Sequence, residues 1–262
     1  MATDPKPRHL LIIGAQRSGT TYLAQLLDSR RDVTLAQPAR PEPKAFLSDE
    51  VLAGGRRGYL DRWFGHADGS EALLVEKSTS YLEHPDAIAR VTDVLGRPLA
   101  LAQLRDPLAR AVSNWRFSTD NGVESWPLED ALRADLAAEC GDAAERPWDR
   151  DAFSVSPYRY LRRGRYAEQL VPWRDALGDR LVVVFTEELL GSPGEVGRLC
   201  ARLGLEPQAT TAPGTTVNAS STQAPRVAPE LEEQLRAWFR APDEELEALL
   251  GRAVPWAGAR HG

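Results

Sequence analysis

Residues 10–30 read LLIIGAQRSGTTYLAQLLDSR. The short run LLIIG is apolar at every position, stops at a glycine-rich turn, and gives way from Thr20 to a helical pattern with Tyr22, Leu23, Leu26 and Leu27 on one face. A strand with no polar side has to be covered on both faces, which is the condition of a parallel strand inside an α/β sheet. Gly14 and Gly19 stand in the spacing G-x-x-x-x-G. Glycines there let the main chain approach an anion closely, and the exposed N–H groups and dipole at the helix start stabilise negative charge. A nucleotide-kinase loop of this spacing carries lysine directly after its second glycine. Here that place holds Thr20, and the positive charge sits earlier, at Arg17.

The same alternation continues along the chain. ALLVEKST (72–79), PLALAQLRD (98–106) and LVVVFTEEL (181–189) read as further strands. Between and after them, helical patterns are expected at 56–64, 85–95, 107–118, 128–138, 165–177 and 193–203, with two more at 229–240 and 242–251. Segment 36–50, AQPARPEPKAFLSDE, is proline-rich and reads as an ordered or extended loop, and 120–157 is the least regular stretch. Strands alternating with helices predict an α/β fold, P-loop-like and three-layered, with a central, mainly parallel sheet flanked by helices. The 262 residues suit a single domain over 1–262.

Composition narrows the function. A formal net charge of −6 argues against general nucleic-acid binding but leaves room for a local cationic site. Cys140 and Cys200 are far apart and have no Cys or His neighbours at metal-ligand spacing, as in a reduced intracellular protein. No apolar run approaches the ~20 residues that span a bilayer, and MATDPKPRHLLIIG reads as the approach to a strand rather than a signal peptide. These features lead to the expectation of a cytoplasmic protein without membrane or nucleic-acid partners. They carry no sign of an oligomeric state.

Three of the four expected strands end in charge and small polar residues. The first gives Arg17, Ser18, Thr20 and Thr21; the second, Glu76, Lys77, Ser78 and Thr79; the third, Arg105 and Asp106, with Arg110 and Ser113 on the helix that follows. In a parallel sheet these ends share one edge, where ligands of open α/β folds bind. A cationic cup there suits a ligand with several phosphate-like groups. Each residue also has a plainer reading. Lys77 can pair with Glu76 or Glu83, Arg105 with Asp106, and Glu42 can be an exposed loop carboxylate.

With those residues in place, the chain resembles the sulfotransferases that use 3′-phosphoadenosine-5′-phosphosulfate (PAPS), in particular their heparan-sulfate-type branch in a bacterial, soluble form. GAQRSGTTYL (14–23) resembles the family's 5′-phosphosulfate loop, and LRDPLARAVSNW (104–115) its 3′-phosphate segment. PEPKAF (41–46), EKSTSYL (76–82), YLRRGRYAEQLVPW (160–173) and LRAWFRAPDEELEALLGRAVPW (235–256) are similar to that branch, so the likeness covers nearly the whole chain. The resemblance implies that Arg17, Ser18, Gly19, Thr20 and Thr21 bind the 5′-phosphosulfate, and that Arg105 and Ser113 hold the 3′-phosphate. It further implies that Arg226, in VNASSTQAPR (217–226), belongs to a loop closing over the nucleotide. Glu42, stiffened by a proline on each side, becomes the catalytic base, and Lys77 and Arg17 stabilise charge on the transferring and bridging oxygens. Arg17 stands where many relatives have lysine, and Lys44 where they often have histidine.

The implied reaction moves a sulfuryl group from PAPS to a hydroxyl, or less readily an amine, of a small-molecule, sugar or natural-product acceptor. Adenosine 3′,5′-bisphosphate is left, and no metal is implied. Trp126 and Trp148, in the irregular segment, are the candidates for acceptor contact. Two other readings of the same residues stand beside this one: an ATP- and magnesium-dependent small-molecule kinase, and a nucleotide-binding protein without catalysis.

Overall fold

The structure, a computed structural model, describes residues 8–153, 155–207 and 225–258. In chain order the first elements are β1 (Arg8–Gly14), α1 (Thr20–Asp28), β2 (Val33–Leu35), α2 (Glu50–Trp63), β3 (Leu73–Lys77) and α3 (Asp86–Leu95). β4 (Leu99–Leu104), α4 (Pro107–Asp120), α5 (Leu128–Cys140) and α6 (Tyr166–Leu177) follow. β5 (Leu181–Phe185), α7 (Thr186–Gly191), α8 (Pro193–Arg202) and α9 (Pro229–Leu250) complete the order. The chain divides into two compact units, residues 1–104 with 172–218 and residues 105–171 with 219–262. One division falls inside α6, at Pro172.

The first unit holds a five-stranded sheet in the order β2-β3-β1-β4-β5, and every pair in it is parallel. The all-apolar reading of β1 is explained directly. Leu10 and Ile12 point into a core made with Leu23, Leu26 and Leu27 of α1 and Leu199 and Leu203 at α8. Leu11 and Ile13, which alternate with them, are equally inaccessible, so both faces of the strand are covered. Each such side chain contributes about 1.5–3 kcal/mol of burial. The chain runs outward from β1 to β2 on one side and from β4 to β5 on the other, so the order reverses between β1 and β4. The carboxyl ends at such a reversal form the natural ligand crevice of an open α/β sheet.

The second unit is helical. Leu108 and Ala111 of α4, Leu128, Ala131 and Leu132 of α5, and Leu231, Leu235 and Phe239 of α9 share one core with Tyr160 and Leu161. α4 begins on a proline, and the Asp106 side chain caps it by accepting from the Leu108 N–H at 2.9 Å. Gly164 is obligatory by packing, because a Cβ there would lie 2.7 Å from both the Phe239 ring and Pro107. Among the described residues no helix is long and apolar enough to cross a membrane.

The α/β architecture agrees with the sequence expectation, and three local readings differ. β2, three residues long, is too short to leave a periodic signal. The strand expected over 181–189 ends at Phe185, where Thr186 starts a helix. The two helices expected at 229–240 and 242–251 are one. Pro242 lies buried inside α9, and the stripe Leu231, Leu235, Phe239, Leu246 continues through it, so packing outweighs the missing N–H.

Asp135 of α5 gives this fold a pH dependence. Its carboxylate is buried and accepts from the Leu161 N–H at 2.7 Å. Burial first, with the neighbouring Glu139 adding in the same direction, pushes it up to about 7. An unfolded aspartate titrates near 4, so between about 4 and about 7 the folded chain keeps a proton that the unfolded chain releases. Stability is therefore expected to fall as pH rises through that window and to level off above it. In Asp135→Asn the fall should be reduced, as read from urea midpoints at several pH values.

Candidate active site

The loop after β1 is shaped for an anion. Gly19 is the N-cap of α1 in the left-handed region (φ 86°), has no side chain to cap the helix, and is followed by no acidic residue in the first turn. The N–H groups that open α1 thus have no capping side chain, and the positive end of the helix dipole has no acidic neighbour on its own first turn. Arg17 also sits at positive φ, 68°. For a non-glycine residue that conformation costs about 1–2 kcal/mol and persists where the surroundings impose it, commonly at functional sites. Thr20 is buried and Thr21 half-buried.

Two residues, Gln103 and Thr186, brace this loop from behind. The Ala15 N–H donates to the Gln103 carbonyl of β4 at 2.8 Å. The Thr186 hydroxyl, at the end of β5, shares its proton between the carbonyls of Ser18 (2.6 Å) and Leu104 (2.9 Å), and accepts from Gln103 Nε2 at 3.1 Å. A Cβ on Gly19 would meet that same Gln103 nitrogen at 3.0 Å. Gly14 has a different reason from the one its spacing suggested. A Cβ there would lie 2.7 Å from Leu82 Cβ, so close packing against the turn after β3, rather than approach to an anion, requires glycine.

One strand away stands the carboxylate of the proline loop. Ile12 is in register with Lys77, so the end of β3 lies beside the start of the glycine loop. Lys77 Nζ forms an ion pair with Glu42, the two side chains being 10% and 20% exposed. Glu42 also accepts from the Thr79 N–H (2.9 Å) and from the Thr79 hydroxyl (3.0 and 3.1 Å to its two oxygens). The partner of Lys77 is therefore neither Glu76 nor Glu83, and Glu42 is not a loose surface acid. A carboxylate held by an ammonium and two further donors is fixed in place, as a positioned base requires.

In the second unit, Arg105 follows directly on the last residue of β4. Asp106, the carboxylate that could have neutralised it, is taken by Arg236 in a two-pronged pair at 2.7 and 2.9 Å. Among the described residues the Arg105 guanidinium has no ion pair; its carbonyl accepts from the Tyr166 hydroxyl at 2.8 Å. Ser113 is half-buried on α4, and Arg226 is exposed just before α9. The rest of the expected closing loop, 217–224, lies outside the described residues. Trp126 is 43% exposed, with the Arg146 guanidinium 4.0 Å from its ring centre and 3.9 Å from that of Tyr158. Trp148 has Arg150 at 4.9 Å.

Gln103 and Thr186 were not among the residues expected from sequence. Their signal was present: an amide inside the otherwise apolar LALAQL, and a hydroxyl where LVVVF stops. Thr186→Val keeps the shape and removes the hydroxyl, leaving the buried Gln103 amide without its acceptor. It should destabilise the chain by about 1–3 kcal/mol in urea unfolding, and Thr186→Ser should restore most of the loss.

The chain is 25% identical over 193 residues to bifunctional heparan sulfate N-deacetylase/N-sulfotransferase 1 of Caenorhabditis elegans, a match covering 71% of this chain and 21% of that protein. It is 23% identical over 271 residues to heparan sulfate glucosamine 3-O-sulfotransferase 3A1 of Mus musculus, covering 95% of this chain and 64% of that one. It thus spans about a fifth of the first relative and less than two-thirds of the second. The crystal structure of a sulfotransferase from Alicyclobacillus acidocaldarius has the same fold, with a TM-score of 0.72 at 23% identity over 95% of this chain and 98% of that one. No protein-family model matches the chain. The chain is thus similar in sequence to sulfotransferases and shares the fold of one of known structure.

Proposed function

We propose that the chain transfers a sulfuryl group from PAPS to a hydroxyl of a small-molecule or carbohydrate acceptor and releases adenosine 3′,5′-bisphosphate. The observation that carries this reading is the Glu42–Lys77–Thr79 cluster at the end of β3, one strand from an uncapped, arginine-bearing glycine loop. The residues suit such a donor. The first turn of α1 offers N–H groups and the hydroxyls of Thr20 and Thr21, Arg17 adds a permanent charge, and Arg105 has no carboxylate partner among the described residues. Bound PAPS would supply a sulfuryl group activated by its anhydride link to phosphate.

In this reading Glu42 takes the proton of the acceptor hydroxyl, and its three donors hold the carboxylate in place to do so. Lys77 places an ammonium beside that carboxylate, where oxygen gains charge as the acceptor attacks; such a donor is worth about 3 kcal/mol. Arg17, which stays protonated, steadies the oxygen that leaves with the phosphate. The proposal takes residues 1–262 as one catalytic domain, with Arg105 and Ser113 on the 3′-phosphate and Arg226 over the nucleotide, as the sequence resemblance implies. Two relatives are heparan sulfate sulfotransferases by name, which supports a sugar or sugar-like acceptor with Trp126 and Trp148 as its contacts; the 3-O-sulfotransferase supports a hydroxyl, and the N-sulfotransferase the less favoured amine. A cytoplasmic location is part of the same proposal.

A mass-spectrometric screen of acceptors with PAPS is expected to show a mass gain of one sulfuryl group without added metal. Magnesium-dependent phosphorylation from ATP would instead establish the kinase reading, and ligand binding with no turnover the non-catalytic one. Glu42→Gln should lower kcat by about 10²–10⁴ while leaving calorimetric binding of adenosine 3′,5′-bisphosphate in place. Arg105→Ala should weaken that binding by about ten- to a hundredfold, the loss of one charge-assisted contact, and leave adenosine 5′-monophosphate, which lacks the 3′-phosphate, unaffected.

A further inference from the structure

Glu76 is a carboxylate inside β3 with no solvent exposure. It does not pair with its neighbour Lys77, since successive strand residues point to opposite faces. Instead it sits at the centre of a hydrogen-bond cluster. Ser78 Oγ donates to Glu76 Oε1 at 2.7 Å, the Tyr81 hydroxyl donates to the same oxygen, and the Tyr59 hydroxyl of α2 donates to Oε2 at 2.8 Å.

The direction of these bonds matters. An ionised carboxylate only accepts, so both Ser78 and Tyr81 have to turn their single protons toward it. Each hydroxyl is left with lone pairs facing away. Ser78 Oγ accepts there from the Lys44 N–H at 2.8 Å, and the Tyr81 oxygen accepts from the Phe46 N–H at 3.0 Å. Two main-chain N–H groups, at residues 44 and 46, are thus gathered by one buried anion, each through a hydroxyl. Lys44 adopts a left-handed conformation (φ 48°) within this set. Glu42 lies two residues before it and meets Lys77 and Thr79.

Resting on the reading of Glu42 as the base, we propose that Glu76 is its positioning residue: by anchoring the loop backbone at 44–46, it sets where Glu42 is held against Lys77. Glu76 itself touches neither substrate nor reacting atoms. Its effect passes through the polarity of two hydroxyls.

Glu76→Gln offers one oxygen where three donors need acceptors, so at least one of them loses its own. It is expected to lower kcat about tenfold or more while the calorimetric Kd for adenosine 3′,5′-bisphosphate stays within about twofold, because a misplaced base slows turnover without disturbing the glycine loop. Tyr81→Phe, which frees the Phe46 N–H, should show the same split. Tyr59→Phe removes a bond to the same carboxylate that leads to α2 instead, and its kcat should stay within about twofold of the parent chain. Wild-type kcat in both Glu76→Gln and Tyr81→Phe would overturn the proposal, as would losses in all three variants that merely follow their drop in Tm. If Glu76→Gln does not fold, the contrast between Tyr81→Phe and Tyr59→Phe decides. Glu42→Gln measured alongside keeps the two readings apart. Full turnover in it removes the base assignment and this inference together, whereas an inactive Glu42→Gln beside fully active Glu76→Gln and Tyr81→Phe removes this inference alone.

Discussion

Parallel pairing is the constraint from which the site follows. Antiparallel strands alternate their ends between two edges of a sheet, whereas β1, β3, β4 and β5 all finish on the same one. The residues just past each strand are therefore neighbours without any further device. Lys77 ends β3 beside Ile12 of β1, the glycine loop begins two residues later, and Thr186, the residue after β5, can reach the loop carbonyl of Ser18. That arrangement is paid for by complete burial of both sheet faces, which is why LLIIG has no polar side.

Charge is managed by pairing within each unit. In the first, Lys77 is matched by Glu42; in the second, Asp106 is matched by Arg236 on α9. Glu76, which has no cation partner among the described residues, is matched instead by hydroxyl protons, as buried anions without a counter-ion must be. Burial still pushes its carboxyl upward, and the surrounding donors pull it back. The structure thus keeps Glu42, in the proline loop, for an ion pair and Glu76, 34 residues later in β3, for holding main chain.

Much of this was legible before any coordinates. The strand–turn–helix at 10–30, the alternation of strands and helices, and the charged strand ends all follow from local patterns, and the structure places each where those patterns put it. The departures have physical causes. β2 is three residues long, shorter than any period can register. Pro242 looked like a helix break, but side chains packed on both sides of it keep α9 continuous. Gly14 looked like part of an anion cradle, and its real neighbour, Leu82, is far along the chain. Asp106 looked like the partner of Arg105 because it is adjacent, yet adjacent residues at a helix start face apart, and Arg236 reaches it from α9.

Residue order alone established an α/β chain with a glycine loop between its first strand and helix and named the cation and carboxylate to watch, because hydrophobic period, glycine spacing and proline stiffening are properties of a few neighbouring residues. Which carboxylate meets which cation belonged to the folded chain. Glu42 and Lys77 are separated by a loop, a helix and most of a strand, and only the packing of that loop on β3 brings them together. The same holds for the support of Thr186 beneath the glycine loop and of Glu76 beneath residues 44–46: a hydrogen bond acts over about 3 Å, so its partners are chosen by tertiary approach and leave no periodic trace in the sequence.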